Sequence, residues 1–193
     1  MRRLVYYVAT TLDGFVAESD GGDPSGSDFF PITDDGIRFV VENYPETLPA
    51  PARHALGIDS EGTVFDTVVE GRGSYEVGLD AGLDDVYPHL RHLVFSTTLP
   101  ETGSGAVEIV RDDPVAKVRE LKLEEGLDIW LVGGGTLAHA LLPEIDRLIL
   151  KVNPSIIGSG ISLFNGPFSP TLFTAVDETL LPGGVRVLTY DRH

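Results

Sequence analysis

Short apolar runs alternate with polar or glycine-rich segments along most of the chain. The runs with the length and β-branched content typical of strands cover residues 3–9, 64–70, 92–96, 107–110, 128–132 and 147–152. Helical or loop material lies between most of them. This alternation predicts an α/β fold whose sheet is largely parallel.

The C-terminal part of the chain has a different pattern. Residues 172–176 and 185–190 are two further strand-like runs, separated by Leu181-Pro182-Gly183-Gly184. Because proline and glycine favour a turn, we expect the two runs to form an antiparallel pair. The predicted sheet is therefore mixed, with an antiparallel C-terminal edge. Since the chain has 193 residues, we expect 1–193 to form a single domain.

The segments between the strands give three further expectations. Asp113-Pro114 marks a helix start, and Gly126 marks the end of that helix. Residues 18–35 form a long polar segment that contains Phe29-Phe30, which predicts a loop packed on another part of the fold. Residues 44–62 contain three prolines, and we expect them to be irregular and to cover a sheet edge or a subunit contact.

The acidic composition narrows the range of partners. A formal net charge of −16 repels phosphate backbones and anionic membranes. The chain has no cysteine and no apolar run near the ~20 residues that span a bilayer. We expect a cytoplasmic protein without nucleic-acid or membrane partners. His89 and His92 lack a third ligand nearby, so we interpret them as part of a solvated short helix and expect no metal site.

A glycine run offers the first candidate chemistry. Val132-Gly133-Gly134-Gly135-Thr136-Leu137 follows a buried strand and precedes a helix-like segment. Glycines without Cβ atoms allow backbone N–H groups to approach a phosphate closely, although the same turn could serve packing alone. The spacing also resembles a dinucleotide fingerprint, but the next strand lacks the acidic residue that such a motif requires.

Two other strand ends carry groups that suit phosphates. Glu70-Gly71-Arg72-Gly73-Ser74 places a permanently charged guanidinium after a predicted strand. Ser96-Thr97-Thr98 places hydroxyl groups after the next one. Each could equally be a surface turn when taken alone.

These segments together resemble the dihydrofolate reductase fold, specifically the RibD C-terminal type of reductase domain from the riboflavin pathway. The resemblance spans the chain and rests on segments in a fixed order: Thr11-Leu12-Asp13-Gly14-Phe15-Val16-Ala17, Gly71-Arg72-Gly73-Ser74-Tyr75, Phe95-Ser96, Val132-Gly133-Gly134-Gly135, and 154–164. It implies a three-layer α/β/α fold, a homodimer, and NADPH as cofactor, with NADH as the alternative.

The resemblance also implies which residues bind the cofactor. Ala9, Val16 and Ala17 match positions that line the nicotinamide. The phosphate-side positions match Gly71, Arg72, Gly73, Ser74, Ser96, Thr97, Val132, Gly133, Gly134, Gly135, Thr136 and Leu137. In this family a cis peptide bond joins neighbouring glycines of the turn.

Some positions depart from the family pattern. Relatives often have arginine where Thr97 stands, and the riboflavin-pathway enzymes have glutamate where Val132 stands. Glu70 replaces an apolar residue, so a buried Glu70 needs a partner or a raised pKa.

The resemblance implies a function, and the proton donor for it remains open. We expect an NADPH-dependent reductase of a small heterocyclic substrate, pterin-like or aminopyrimidine-like. The alternative is a non-catalytic nucleotide-binding or dimeric interaction protein with the same fold. Asp13, Asp34 and Asp35 are candidate acids, but Asp13 suits a turn and Asp34 or Asp35 suits a helix N-cap.

Overall fold

The computed structural model of the protein describes residues 1–100 and 105–193. One eight-stranded sheet has the order β5-β4-β3-β6-β1-β7-β10-β9. Its strands are β1 (Leu4–Thr10), β3 (Phe65–Gly71), β4 (Arg91–Phe95), β5 (Val107–Val110), β6 (Asp128–Gly133), β7 (Ile145–Val152), β9 (Phe173–Leu180) and β10 (Arg186–Arg192). Two short strands, β2 (Phe15–Ala17) and β8 (Ile161–Ser162), pair separately.

The strand directions confirm the predicted mixed sheet. Strands β5, β4, β3, β6, β1 and β7 are all parallel, whereas β10 runs antiparallel to both β7 and β9. The carboxyl ends of the parallel strands therefore meet along one side of the sheet, which we call the carboxyl edge. Open α/β sheets bind ligands at this edge.

Helices α4 (Pro114–Leu123) and α5 (Gly135–Ala140) cover one face of the sheet. Asp113 caps α4 as expected, because its side chain accepts a hydrogen bond from Val115 N–H at 2.9 Å. Val118 and Leu121 then point to the sheet and are fully buried against Leu4 and its neighbours. This packing fixes α4 by burying its apolar stripe.

Helices α1 (Asp34–Asn43) and α3 (Arg72–Asp80) lie on the opposite face. Phe39 of α1 packs with Tyr7, Phe65 and Trp130, and Tyr75 of α3 packs with Val94. Two helical layers thus enclose the sheet, which confirms the three-layer α/β/α architecture.

The segment expected to be irregular, 44–62, is partly helical. It contains a 3-10 turn (Pro45–Thr47) and helix α2 (Ala50–Leu56). Pro45 and Pro51 lie in first turns and Pro49 is the N-cap of α2, positions where a missing N–H is tolerated, and so the prolines begin helices instead of breaking them. The buried guanidinium of Arg53 donates to the carbonyls of Pro45 (2.8 Å) and Ser60 (2.6 Å) and holds the segment together.

The loop at 18–35 packs through its aromatic pair, as expected. Phe29 and Phe30 are buried, with ring centres 4.7 Å apart. The Ser155 hydroxyl donates to the Phe29 carbonyl at 3.0 Å and joins the loop to the segment after β7. None of the helices in the described part of the chain has the length and hydrophobicity needed to cross a bilayer.

Candidate functional site

The glycine run forms a sharp turn between β6 and α5. A cis peptide bond joins Gly133 and Gly134, which confirms that expectation. A Cβ atom at Gly135 would collide with the Ser162 carbonyl, so packing requires glycine there. A Cβ atom at Gly134 would meet none of the described residues within 4 Å. The glycine run was interpreted either as a packing turn or as a phosphate site, and the two interpretations apply to different residues. Gly135 serves packing, whereas Gly134 faces open space.

The start of α3 adjoins this turn. A Cβ atom at Gly71 would lie 3.6 Å from the Gly133 carbonyl oxygen and from Gly134 N. The Ser74 hydroxyl oxygen lies 3.7 Å from the position that a Cβ atom at Gly133 would occupy. The residues before α3 and α5 are both glycines without capping side chains. The first-turn N–H groups of α3 and α5 therefore have no capping side chain. They lie at the ends of the neighbouring strands β3 and β6, where an anion can accept hydrogen bonds from them.

The loop after β4 lies on the other side of α3. The Ser96 hydroxyl accepts hydrogen bonds from the N–H groups of Thr98 (3.2 Å) and Leu99 (3.1 Å). Arg72 donates to the Thr98 hydroxyl at 3.0 Å and also pairs with Glu76 at 3.1 Å. Arg72 is half-exposed and reaches across the carboxyl edge towards this loop.

Sequence reasoning missed a second guanidinium at the same loop. Arg111 follows β5 directly and donates to the Leu99 carbonyl at 2.6 Å. Thr97, where relatives often have arginine, is exposed between these contacts. The sequence held one signal for Arg111, because this residue directly follows the predicted strand at 107–110. The carboxyl ends of parallel strands meet at one edge of the sheet, where ligands bind.

The expected nicotinamide residues lie at the opposite end of the carboxyl edge. Ala9 is near the end of β1, and Val16 and Ala17 are in β2. The Thr10 hydroxyl donates to the Phe15 carbonyl at 3.1 Å and holds β2 against β1.

Residues 161–165 connect β2 to the glycine turn. Strand β8 pairs with β2, Leu163 N–H donates to the Gly14 carbonyl at 2.8 Å, and Asn165 N–H donates to the Gly135 carbonyl at 2.9 Å. The Asn165 amide also donates to the Thr136 hydroxyl at 3.3 Å. The 154–164 motif marked this segment in the sequence, but its connecting role follows from contacts far apart along the chain.

Leu137 and Val132 lie on opposite faces of the sheet. Leu137 packs into the cluster under α4 and α5, whereas Val132 packs with Tyr7 and Trp130 on the α1 face. Val132, in contrast to Leu137, therefore lies on the face of the sheet that α1 covers.

The candidate residues follow one line along the carboxyl edge. The sheet order places Ser96 after β4, Arg72 after β3, Gly133 at β6 and Ala9 at β1 on successive neighbouring strands. Their order along the chain is different. An extended ligand across these strand ends would meet all four segments.

Two of the three candidate acids, Asp13 and Asp35, have structural partners. Asp13 accepts hydrogen bonds from the Thr11 hydroxyl (2.6 Å) and from Gly158 N–H (2.7 Å), which hold the pKa of its carboxyl below the usual value. This is the expected turn role.

The N-cap expectation for Asp34 or Asp35 is wrong. Thr33 caps α1, because its side chain accepts from Gly36 N–H at 3.1 Å. Asp34 and Asp35 occupy the first turn, where a carboxylate favours the helix dipole, and Asp35 lies 3.5 Å from the Arg38 guanidinium.

The interpretation of His92 as part of a solvated helix is also wrong. His92 lies in β4, 1% exposed, with Nε2 2.8 Å from Glu70 Oε1 and Nδ1 2.8 Å from Asp85 Oδ1. Burial alone would lower the pKa of His92, but hydrogen bonds to these carboxylates outweigh it and raise the pKa. Burial raises the pKa of Glu70, and His92 opposes this rise. Glu70 thus has both the partner and the raised pKa.

No set of three His, Asp or Glu side chains in the described residues could hold a metal ion. His89 is exposed, and its Nε2 lies 2.8 Å from the Glu46 carbonyl oxygen.

Sequence comparison identifies relatives over most of the chain. A family model described as the RibD C-terminal domain matches residues 87–181. The uncharacterized protein YwjB of Bacillus subtilis is 30% identical over 169 residues, covering 85% of this chain and 83% of YwjB. The chain belongs to the RibD C-terminal domain family. A second uncharacterized B. subtilis protein, YyaP, is 25% identical over 176 residues, covering 84% of this chain and 80% of YyaP.

Solved structures share the fold of this RibD C-terminal domain. A protein of Shewanella sp. PV-4, named for riboflavin biosynthesis, superposes with a TM-score of 0.69 at 22% identity and covers 100% and 99% of the two chains. A Thermotoga maritima deaminase and 5-amino-6-(5-phosphoribosylamino)uracil reductase superposes with a TM-score of 0.66 at 16% identity. This chain spans 57% of that longer protein.

Proposed function

We propose that this RibD C-terminal domain is an NADPH-dependent reductase of a small heterocyclic substrate, pterin-like or aminopyrimidine-like. The family and a reductase among the structural neighbours support reductase chemistry. The name of the Thermotoga maritima neighbour supports the aminopyrimidine class.

The observation that carries the proposal is the convergence of two helix starts at the glycine turn. Strands β3 and β6 are neighbours, and a Cβ atom at Gly71 would lie 3.6 Å from the Gly133–Gly134 peptide, so the first turns of α3 and α5 open at adjacent strand ends. Two unsatisfied sets of N–H groups suit a pyrophosphate, which carries two adjacent negative charges. Ser96 follows β4 on one side of this turn and Ala9 lies in β1 on the other, so an adenosine and a nicotinamide would extend from the pyrophosphate in opposite directions. These residues therefore fit a dinucleotide.

When bound, a reduced nicotinamide supplies a hydride, and the chain's own residues then hold the acceptor and supply a proton. Helix α1 forms one wall for such an acceptor. None of its residues is fully buried, although Ile37, Phe39, Val40 and Val41 are apolar. Half-exposed apolar side chains suit a flat heterocycle.

Cofactor selectivity follows from the two arginines at the loop after β4. Arg72 and Arg111 both contact this loop, at Thr98 and Leu99. We propose that they bind the 2′-phosphate and offset the missing arginine at Thr97. NADPH is then favoured over NADH in spite of the net charge of −16.

Nicotinamide fluorescence during titration tests this assignment. Arg72→Ala and Arg111→Ala should each weaken NADPH binding about 10- to 100-fold and change NADH binding little, because a charge-assisted hydrogen bond contributes about 1.5–3 kcal/mol. Arg186→Ala is the control, since Arg186 is exposed on β10 and pairs with Glu178. Equal weakening of both cofactors would place Arg72 at the pyrophosphate, and failure of both to bind at millimolar concentration would reject the proposed function.

The rival function is nucleotide binding without catalysis. Val132 replaces the glutamate of the riboflavin-pathway enzymes, and Asp13, Asp34 and Asp35 have structural roles. A panel of dihydropterins and aminopyrimidines separates the two functions. Binding of NADPH without its oxidation by any panel member would favour the rival.

A further inference from the structure

Lys151 is an ionisable residue of the α1 face that the functions above leave without a role. It lies in β7, one residue before the carboxyl end of that strand, and it is half-buried. Its register partner on β1 is Ala9. Partners in a parallel pair point to the same face, so Lys151 and Ala9 share the face that α1 covers.

The Lys151 ammonium has no acidic partner among residues 1–100 and 105–193. The other lysines of the sequence are paired, Lys117 with Glu108 at 2.7 Å and Lys122 with Asp146 at 2.7 Å. Lys151 Nζ instead lies 4.5 Å from the centre of the Tyr7 ring. An ammonium over an aromatic face is held in place while its protons remain available to a ligand.

Among the described residues, no carboxylate contributes to the pKa of Lys151, whereas Glu46 and Asp177 act on the neighbouring Tyr7 and Tyr44 hydroxyls. Tyr7 comes from β1, Tyr44 follows α1 with its ring centre 4.7 Å from that of Tyr7, and Val187 and Thr189 of β10 are uncharged. On β7 itself, Arg147 is already paired with Asp191 at 2.6 Å. Burial raises the pKa of the Tyr7 hydroxyl far above the ordinary value. Tyr7 is therefore a poor acid.

We propose that Lys151 is a catalytic residue that donates the proton to the nitrogen or oxygen of the acceptor's C=N or C=O group. This inference rests on the proposed reductase function. As the carbon of that group receives the hydride, its π electron pair moves to the nitrogen or oxygen. An Nζ–H bond of Lys151 breaks, its proton forms the new N–H or O–H bond, and water reprotonates the neutral amine.

The electrostatics of the site support this role. Burial lowers the pKa of Lys151 to about 8. An acid with a pKa near the working pH is protonated and still releases its proton readily. The same ammonium attracts the electron-rich nitrogen or oxygen of the acceptor, so acceptors without such an atom at the reacting bond are excluded.

Two substitutions separate proton donation from attraction. Lys151→Arg keeps the positive charge, but arginine does not release a proton at accessible pH. Lys151→Met removes both. With NADPH and either dihydrofolate or 5-amino-6-(5-phosphoribosylamino)uracil, both variants should lose about 100-fold in kcat, whereas only Lys151→Met should also raise KM for the acceptor. Lys117→Met is the control and should retain wild-type kcat.

The pH profile gives a second readout. The protonated amine is the active form, so the wild-type kcat should fall above about pH 8. Lys151→Arg should lack this fall. Tyr7 and Tyr44 do not produce it, because burial raises the pKa of both hydroxyls above that of an ordinary tyrosine.

Competitive acetylation with acetic anhydride tests Lys151 without any acceptor. Lys151 should become reactive at a pH near 8, because burial lowers the pKa of its ammonium to about 8. Normal NADPH binding together with Lys151 reactivity that follows the other lysines would overturn the role of Lys151 alone. Wild-type kcat in Lys151→Arg would also overturn it. Bound NADPH with no acceptor reduced would instead reject the proposed reductase function together with the role of Lys151. Loss of all NADPH binding would reject the proposed function as well.

Discussion

Glu70 and His92 are buried side by side behind the turn that carries Arg72, and each determines the charge of the other. Both ring nitrogens of His92 face carboxylate oxygens at 2.8 Å, and only an imidazolium can donate from both. Removal of one member would leave a buried charge without a partner, which typically costs about 3–5 kcal/mol. The cluster therefore stabilises the base of the Arg72 turn.

This cluster predicts a pH-dependent stability. Since the pKa of His92 is raised above 6.5 in the folded protein, its contribution is complete below pH 6.5 and is lost as pH rises through the folded value. The raised pKa of Glu70 acts in the same direction from pH 4.5 upwards. Urea unfolding between pH 6 and 9 should show falling stability.

His92→Gln should remove most of the fall above pH 6.5, because glutamine does not titrate. His54→Gln is the matched control, since His54 is exposed on α2, and it should retain the wild-type slope. An unchanged slope in His92→Gln would contradict this role of the cluster.

At the scale of elements, the glycines around the candidate site have two separate physical tasks. Gly135 lies against the end of β8 and Asn165 after it, and the atom nearest to a Cβ there would be the Ser162 carbonyl oxygen. Gly73, in the first turn of α3, has nothing within 4 Å of the corresponding position. One glycine serves packing, and the other leaves space at a helix start.

Alanine at these two positions should therefore give opposite results. Gly135→Ala should destabilise the protein by about 1–3 kcal/mol, because backbone must move to admit the methyl group. Gly73→Ala should keep or slightly raise stability, since alanine favours helix, while weakening NADPH binding. Thermal unfolding and cofactor titration of both variants measure this. A stable Gly135→Ala protein would show that residues 161–165 adapt to the turn.

At the scale of the whole molecule, the antiparallel edge is the least covered part of the sheet. Five consecutive residues of β9, 174–178, are exposed. Because side chains along a strand alternate between the two faces of the sheet, both faces of β9 are uncovered there. Leu172 is 77% exposed and Leu180 is 62% exposed. An open edge strand with exposed apolar residues is a site where a second chain can pair or pack.

We propose that this edge forms the contact of a homodimer, which the resemblance to the family implies. Sedimentation of the wild-type protein should give a dimer, and the double variant Leu172→Asp with Leu180→Asp should give a monomer. Leu123→Asp is the control, because Leu123 is 74% exposed on α4, far along the chain from this edge. A wild-type monomer at micromolar concentration would reject the dimer.

The sequence by itself determined the order and type of the main strands, the antiparallel C-terminal edge, the Asp113 cap and the family. These features depend on local periodicity, turn residues and short motifs, all of which are visible within a few neighbouring positions. Local signals also gave Arg72 and the glycine run as candidate phosphate groups. They were misleading for residues 44–62, where prolines begin helices.

Only the tertiary structure decided which distant residues meet. The pairing of Glu70 with His92, the approach of Arg111 to the loop after β4, and the position of Lys151 beside Ala9 all depend on strand order and register. Sheet order is set by packing of the whole chain, and a shift of one residue would turn each side chain to the opposite face. The separate tasks of Gly134 and Gly135 were likewise decided by the position of residues 161–165, nearly thirty residues further along the chain.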